Sequence, residues 1–276
     1  MMAAEGGFGP RLPSDGAKKG GRQMMRAVGW VASLTGYGLL VLLAAAPAAD
    51  AAPRAVVATS PNYAGYVAGY RIVPSTLSAS ANFTVPALTC TSVNSGVGFW
   101  VGTFTAAPGS FSFSKHNALV LIEALCTSGT ASYETFMVID GVRNMLPVSV
   151  HSGDHVTMSV STTGPISDGA VTVKFADSTQ GYSTTQTGTN TLFECARGVN
   201  CGATAGATIL ENSSMQLLPV PKFGTAAFTG ASLSGKTPKA ANATQYNAVN
   251  SQGTVLIQTG SLNKSGKGWA ETFKHS

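Results

Sequence analysis

Charge is scarce in this sequence. Asp, Glu, Lys and Arg make up 11% of its 276 residues. From Ala52 onward, 12 Lys and Arg stand against 9 Asp and Glu, a net of +3 compared with +5 for the whole chain. No basic cluster is left in that part, so nucleic acid is not implied as a partner. Also lacking is any 3.6-residue apolar period sustained over ten or more residues, which excludes long helices. There is no G-x-S-x-G, so a serine hydrolase of that type has no support. No C-x-x-C accompanies the cysteines, and His116, His151, His155 and His275 are scattered without partners at ligand spacing. Neither a metal nor another cofactor is therefore expected. Internal repeats and a second domain are absent too.

The N-terminal part has what the rest lacks. Lys18, Lys19, Arg22 and Arg26 form a basic stretch, followed by the apolar, small-residue run "AVGWVASLTGYGLLVLLAAAPAADA". Ala46-Pro47-Ala48 and Ala49-Asp50-Ala51 both fit the small-x-small cleavage pattern. Residues 1–51 thus read as an N-terminal extension and secretory signal, with translation starting at Met1 or at Met24 or Met25. The alternative is an uncleaved membrane anchor, since the run is nearly long enough to span. After cleavage, a secreted protein without membrane contact is expected.

Residues 58–276 suit one all-β domain, a class that often reaches roughly 200–250 residues undivided. "ANFTVPAL", "GVGFWVGTF", "ALVLIEAL", "HVTMSVSTT", "GAVTVKFAD" and "GTAAFTGASL" carry β-branched or aromatic residues, several in alternation, between Gly, Pro, Asn and Ser. "ASLSGKTPKAANATQ" reads as loop, and "YNAVNSQGTVLIQTG" as a closing hairpin turning at residues 251–253. Short strands with turn signals between them predict a sandwich of two antiparallel sheets. Four cysteines, Cys90, Cys126, Cys195 and Cys201, all lie in the exported part. An even count outside the cell implies two disulfides. Of three possible pairings we favour Cys90–Cys126 and Cys195–Cys201, the second closing the loop "CARGVNC".

Several motifs, in order, carry a resemblance. "SPNYAGYV" is similar to N-W-A-G-Y, "ANFTVPALTC" to W-x-V-P-x-x-x-C, and "GFWVG" to W-V-G. "PVSVHSGDHVTMSVS" is similar to P-x-x-I-x-x-G-D-x-I-x-x-x-V, and "PVPKFGTAAFTGAS" to F-G-T-V-x-F-T-x-A. The set, together with the tail "VNSQGTVLIQTGSLNKSGKGWAETF", resembles the glutamic peptidase (eqolisin) family in its secreted bacterial form, over about residues 60–274. The resemblance implies a concanavalin-like β-sandwich, a protein or peptide substrate, and acid endopeptidase chemistry without metal; a monomer is expected. In that chemistry a Glu takes a proton from the attacking water, and a Gln amide orients the water and donates to the oxyanion.

This chain departs from the pattern at those two residues. The family Gln falls within "LVLIEALC", where Glu123 or Ile122 takes its place and no Gln is present. The family's A-E-W-I-V-E falls on "GATILE", so its first Glu becomes Ala207 and its second is Glu211. The loop "WVGTFTAAPG" lacks the family's Asp. In "TFMV", Phe136 stands for the Trp and Val138 for the Glu of A-W-Y-E. Glu123 has three readings. It is a solvated strand residue, one member of a carboxyl pair with Glu211, or the partner of Arg143 or Lys115 in a plain ion pair. Alternation places Ala207, Ile209 and Glu211 on one face, which points to the cleft if the family geometry holds. Asp154, in "SGDHV", reads as turn chemistry. The candidate site is therefore Glu123 and Glu211 as catalytic carboxyls, with Trp100 and Phe136 as substrate contacts, although Trp100 and Phe99 also read as core. The rival expectation is an inactive exported sandwich that binds a peptide or glycan in the former cleft.

Overall fold

Alternation of apolar and polar residues dominates the chain from residue 58 onward, and it yields strands throughout. The computed structural model describes residues 57–70, 74–106, 118–164, 169–190 and 200–276. The expected signal segment and Cys195 lie outside the described residues. No helix occurs among them. The strands are β1 (Ala58–Ser60), β2 (Tyr63–Tyr70), β3 (Thr76–Thr84), β4 (Ser95–Ala106) and β5 (Ala118–Thr127). Next come β6 (Thr130–Ile139), β7 (Val142–Met145), β8 (His155–Thr163), β9 (Gly169–Asp177) and β10 (Tyr182–Asn190). The last are β11 (Asn200–Ile209), β12 (Thr225–Leu233), β13 (Thr244–Val249), β14 (Val255–Thr259) and β15 (Trp269–Phe273).

The architecture is the expected all-β sandwich, with one refinement. Its layers are not two separate sheets but one hydrogen-bonded path, β10-β9-β8-β3-β12-β15-β14-β13-β2-β11-β4-β5-β6-β7, doubled over on itself. Pairing along the path is antiparallel, and the short β1 runs parallel beside β13. β3 packs across the interior against β4 and β11, and β8 and β9 pack across it against β5. β12, β15, β14 and β13 form the bend that joins the layers. Register shifts in β12 (Thr229/Ser232) and β13 (Ala248/Val249) supply the local curvature.

Along the strands that build the core, alternate side chains enter the interior. Leu77, Ala79, Ala81 and Phe83 of β3 meet Val97, Phe99 and Val101 of β4, Ile122 of β5, and Val171, Val173 and Phe175 of β9, all buried. An aromatic row crosses this core. Phe83 stacks on Phe228 at 5.3 Å between centroids, Phe228 stacks on Trp269 at 5.2 Å, and Phe99 meets Phe223 edge-on at 5.4 Å. The Cys90–Cys126 bridge forms, with Cα atoms 5.4 Å apart, and ties the loop before β4 to the end of β5. Cys201 is also disulfide-bonded, and its expected partner is the undescribed Cys195.

Candidate active face of the sheet

The outward residues of β2, β11, β4, β5, β6 and β7 line up in cross-strand rows. Tyr63, Thr208, Gly98, Glu123 and Glu134 make the first row, each directly opposite the next. Gly65, Gly206, Trp100, Leu121, Phe136 and Met145 make the second. Val67, Thr204, Gly102, Leu119, Val138 and Arg143 make the third. Glu123, Trp100 and Phe136 thus share one face.

That face carries an apolar layer of its own. Tyr63, Val67, Trp100, Phe104, Leu119 and Val138 are buried there as a second cluster, with Trp100 edge-on to Tyr63 at 5.7 Å. Glycines beneath make room for the rings. A Cβ on Gly102 would lie 2.8 Å from Leu119 Cβ and 2.9 Å from Trp100 Cζ3, closer than packed atoms approach. The Tyr63 hydroxyl lies 2.6 Å from Thr204 Oγ1, which itself donates to Tyr66 O at 3.0 Å. Burial pushes the Tyr63 phenol well above its usual range.

Glu123 is the half-buried carboxyl of the first row, its side chain 14% exposed. Arg143 Nη2 donates to Glu123 Oε1 at 2.7 Å. The Asp140-Gly141 turn, with φ of 53° and 79°, closes the β6–β7 hairpin so that Arg143 falls opposite Val138. Its guanidinium also sits 4.1 Å from the centroid of the Phe136 ring. Burial raises the Glu123 pKa; the charge and hydrogen bond of Arg143 oppose that shift, and the charge of Glu134 adds to it. Glu134 itself is exposed and lines a groove of about 430 Å³ running along β6 with Tyr133, Met145 and His151.

The structure does not bring Glu211 onto this face. Ala207 and Ile209 share a face as alternation requires, but it is the interior one, and both are buried in the core. Glu211 lies beyond the end of β11, exposed, bridged through its backbone to Leu217. Ile122 likewise points inward, which leaves Glu123 as the outward residue of the pair considered for the Gln position. Asp154 does fix a turn, its Oδ2 accepting from His151 N at 2.7 Å. Among the described residues, no group of three or more His, Cys, Asp or Glu could hold a metal ion.

Sequence reasoning missed two carboxyls. Glu134 stands directly opposite Glu123, and alternation through "ETFMV" puts it on the face of Phe136 and Val138. Glu271 of β15 is fully buried, with Trp269 Nε1 donating to its Oε1 at 2.5 Å and Thr259 Oγ1 lying 2.7 Å from its Oε2. No local pattern marks "WAETF" as a buried-acid site.

The Peptidase A4 family description matches residues 61–267. Among solved structures, the fold is similar to scytalido-glutamic peptidase with a transition state analog inhibitor. That match has 15% identity, a TM-score of 0.58, and coverage of 78% of this chain and 99% of that one. It is also similar to SCP-B, a member of the eqolisin family of peptidases, in complex with the tripeptide Ala-Ile-His. Here identity is 16%, the TM-score 0.56, and coverage 78% and 99%. No curated protein matches.

Proposed function

Because the chain belongs to the Peptidase A4 family, we propose that it is an exported peptidase that hydrolyses peptide bonds in acid through a carboxyl-activated water. The observation that carries this reading is Glu123. It is a carboxyl on the outward face, and its ionisation is delayed to higher pH by burial. Its partner in the reading is Glu134 across the strand pair rather than Glu211, since opposite residues have Cβ atoms on the order of 5 Å apart. Burial favours the protonated form of Glu123, and Glu134 is exposed to water.

Glu134 takes a proton from water as the water oxygen bonds to the peptide carbonyl carbon. The carbonyl electron pair moves to oxygen, where the Glu123 O–H and the Arg143 guanidinium meet the developing charge. The proton on Glu134 then passes to the nitrogen as the C–N bond breaks, leaving amine and carboxylic acid. Phe136, half-buried on the same face, supplies an apolar contact for the substrate, with Trp100 packed beneath. The Cys90–Cys126 bridge supports an oxidising, extracellular setting. The transition state analog on scytalido-glutamic peptidase and the tripeptide on SCP-B support a peptide substrate.

A second reading is favoured by one observation. The row Gly65, Gly206, Trp100, Leu121 offers no amide or carboxyl, and Ala207 faces inward. On that reading the face binds a peptide or glycan without cleaving it. Casein digestion by the mature protein from acid to neutral pH, with pepstatin present, separates the two. Cleavage confined to acid and abolished by Glu134→Gln is the expected result. An inert wild type that still binds peptide establishes the second reading instead.

A further inference from the structure

The buried acid at the bend between the layers has a role independent of catalysis. We propose that Glu271 is a proton-held latch, closed as a neutral carboxylic acid and opened by ionisation, that fixes β13, β14 and β15 to each other in acid.

Counting protons assigns its state. Thr259 Oγ1 lies 2.5 Å from Tyr246 O and 2.7 Å from Glu271 Oε2. A threonine hydroxyl has one proton, and a carbonyl oxygen has none to donate. Both contacts are hydrogen bonds only if Glu271 Oε2 carries a proton and donates it to Thr259, which donates in turn to Tyr246 O. Glu271 Oε1 meanwhile accepts from Trp269 Nε1. The neutral acid therefore satisfies each of these four polar groups. An ionised Glu271 has no proton to donate, so Thr259 would have to divide its single proton between the carboxylate and the Tyr246 carbonyl.

Glu271 is 0% exposed and has no ion-pair partner among the described residues. The titratable groups around it are phenols. Tyr63 and Tyr66 come from β2, both raised by burial and then by the charge of Glu271, and Tyr246 of β13 acts on Tyr63. Tyr66, pushed up to about 12, stays neutral throughout the range in which Glu271 titrates. Burial moves Glu271 itself from 4.5 to about 8, with the hydrogen bond from Trp269 opposing the shift.

The latch sits where release has consequences. Thr259 O accepts from Gln245 Nε2 at 2.6 Å, and Thr259 N donates to Asn247 Oδ1 at 2.9 Å. Tyr66 Oη lies 3.1 Å from Gln245 Oε1 and 3.0 Å from Gly260 O, with one proton to donate between them. The same threonine thus ties β14 to β13 and β15, and through Gln245 to β2. Because the folded pKa is raised, the stability Glu271 contributes is full below about pH 4.5 and is lost as pH rises through about 8.

Thermal melts of the mature protein and of Glu271→Gln from pH 3 to pH 9 test this, with hydrogen exchange read strand by strand. Wild type is expected to melt at progressively lower temperature between about pH 5 and pH 8, with exchange rising first in β13–β15. Glu271→Gln keeps both a donor and an acceptor, so its melting temperature should fall less steeply than that of wild type over that interval. An unchanged slope in the variant overturns the proposal. Should the variant fail to fold, infrared titration of the wild type decides. A protonated-carboxyl carbonyl band persisting at pH 6 supports the latch, and its disappearance by pH 5 overturns it.

Discussion

Ala207 allows a decisive test of which face of β11 is which. By family alignment it stands where a catalytic glutamate is expected, so Ala207→Glu invites the idea of a restored active site. The structure says otherwise. Ala207 is 0% exposed and lies opposite Ala64 of β2 and Phe99 of β4, with its side chain in the interior. A carboxyl there would be buried without a cation, and full burial raises a carboxyl pKa by up to roughly 3–5 units. At about 1.36 kcal/mol per unit, that is ~4–7 kcal/mol of stability lost at neutral pH, with ~1–3 kcal/mol more from overpacking. Against a typical total of about 5–15 kcal/mol, the variant should be largely unfolded or marginal at neutrality. The sign follows from the raised pKa: the electrostatic part of the loss disappears in acid, and the overpacking part remains. Urea unfolding at pH 3 and pH 7 measures both. An Ala207→Glu protein as stable as wild type at neutral pH, and newly able to cleave casein, would mean that the register of β11 is one residue off.

Other consequences are narrower. Replacing both Cys90 and Cys126 by serine opens a loop with a sequence separation of 36 and should lower stability by about 4 kcal/mol in denaturant titrations. Arg143→Ala removes the charge that opposes desolvation of Glu123, so that carboxyl should titrate at higher pH by carbon-13 NMR; no movement would refute the ion pair. Because Arg143 is half exposed, the same change should cost less than about 1 kcal/mol of stability. Phe228→Ala, between Phe83 and Trp269, should cost ~3–5 kcal/mol by urea unfolding.

Legibility of the fold followed side-chain chemistry. β8 (His155–Thr163) and β9 (Gly169–Asp177) coincide with the segments expected from alternation between turn residues. The closing hairpin forms as expected, with its turn at residues 250–253. β11 was less visible because "NCGATAGATI" is built from glycine, alanine and threonine. It lies centrally between β2 and β4, where inward alanines and outward glycines let neighbouring rings approach. β10, "YSTTQTGTN", is a polar edge strand without an apolar face. For the site, alternation told which residues share a face and not which face is outward. Alternation alone therefore groups Glu211 with a cleft and gives no sign that Glu134 stands opposite Glu123.

The carboxyls with raised pKa point to one working environment. Glu123 on the outward face and Glu271 at the bend are both raised chiefly by burial. Asp177, buried beside Asp154, is raised too, by burial first, with the charge of Asp154 adding to the shift and hydrogen bonds from the Gln180 and Thr179 backbones opposing it. In each the folded pKa exceeds the unfolded one, so each contributes stability that is full in acid and diminishes as pH rises. A carboxyl held by a cation would have the opposite sign, and the Arg143–Glu123 pair is too exposed on its arginine side to reverse the balance. Low pH therefore favours both the protonation state that the proposed chemistry requires of Glu123 and the fold that presents it. A wild-type protein more stable at pH 7 than at pH 4 would contradict the stability half of this expectation, and cleavage undiminished at pH 7 would contradict the other.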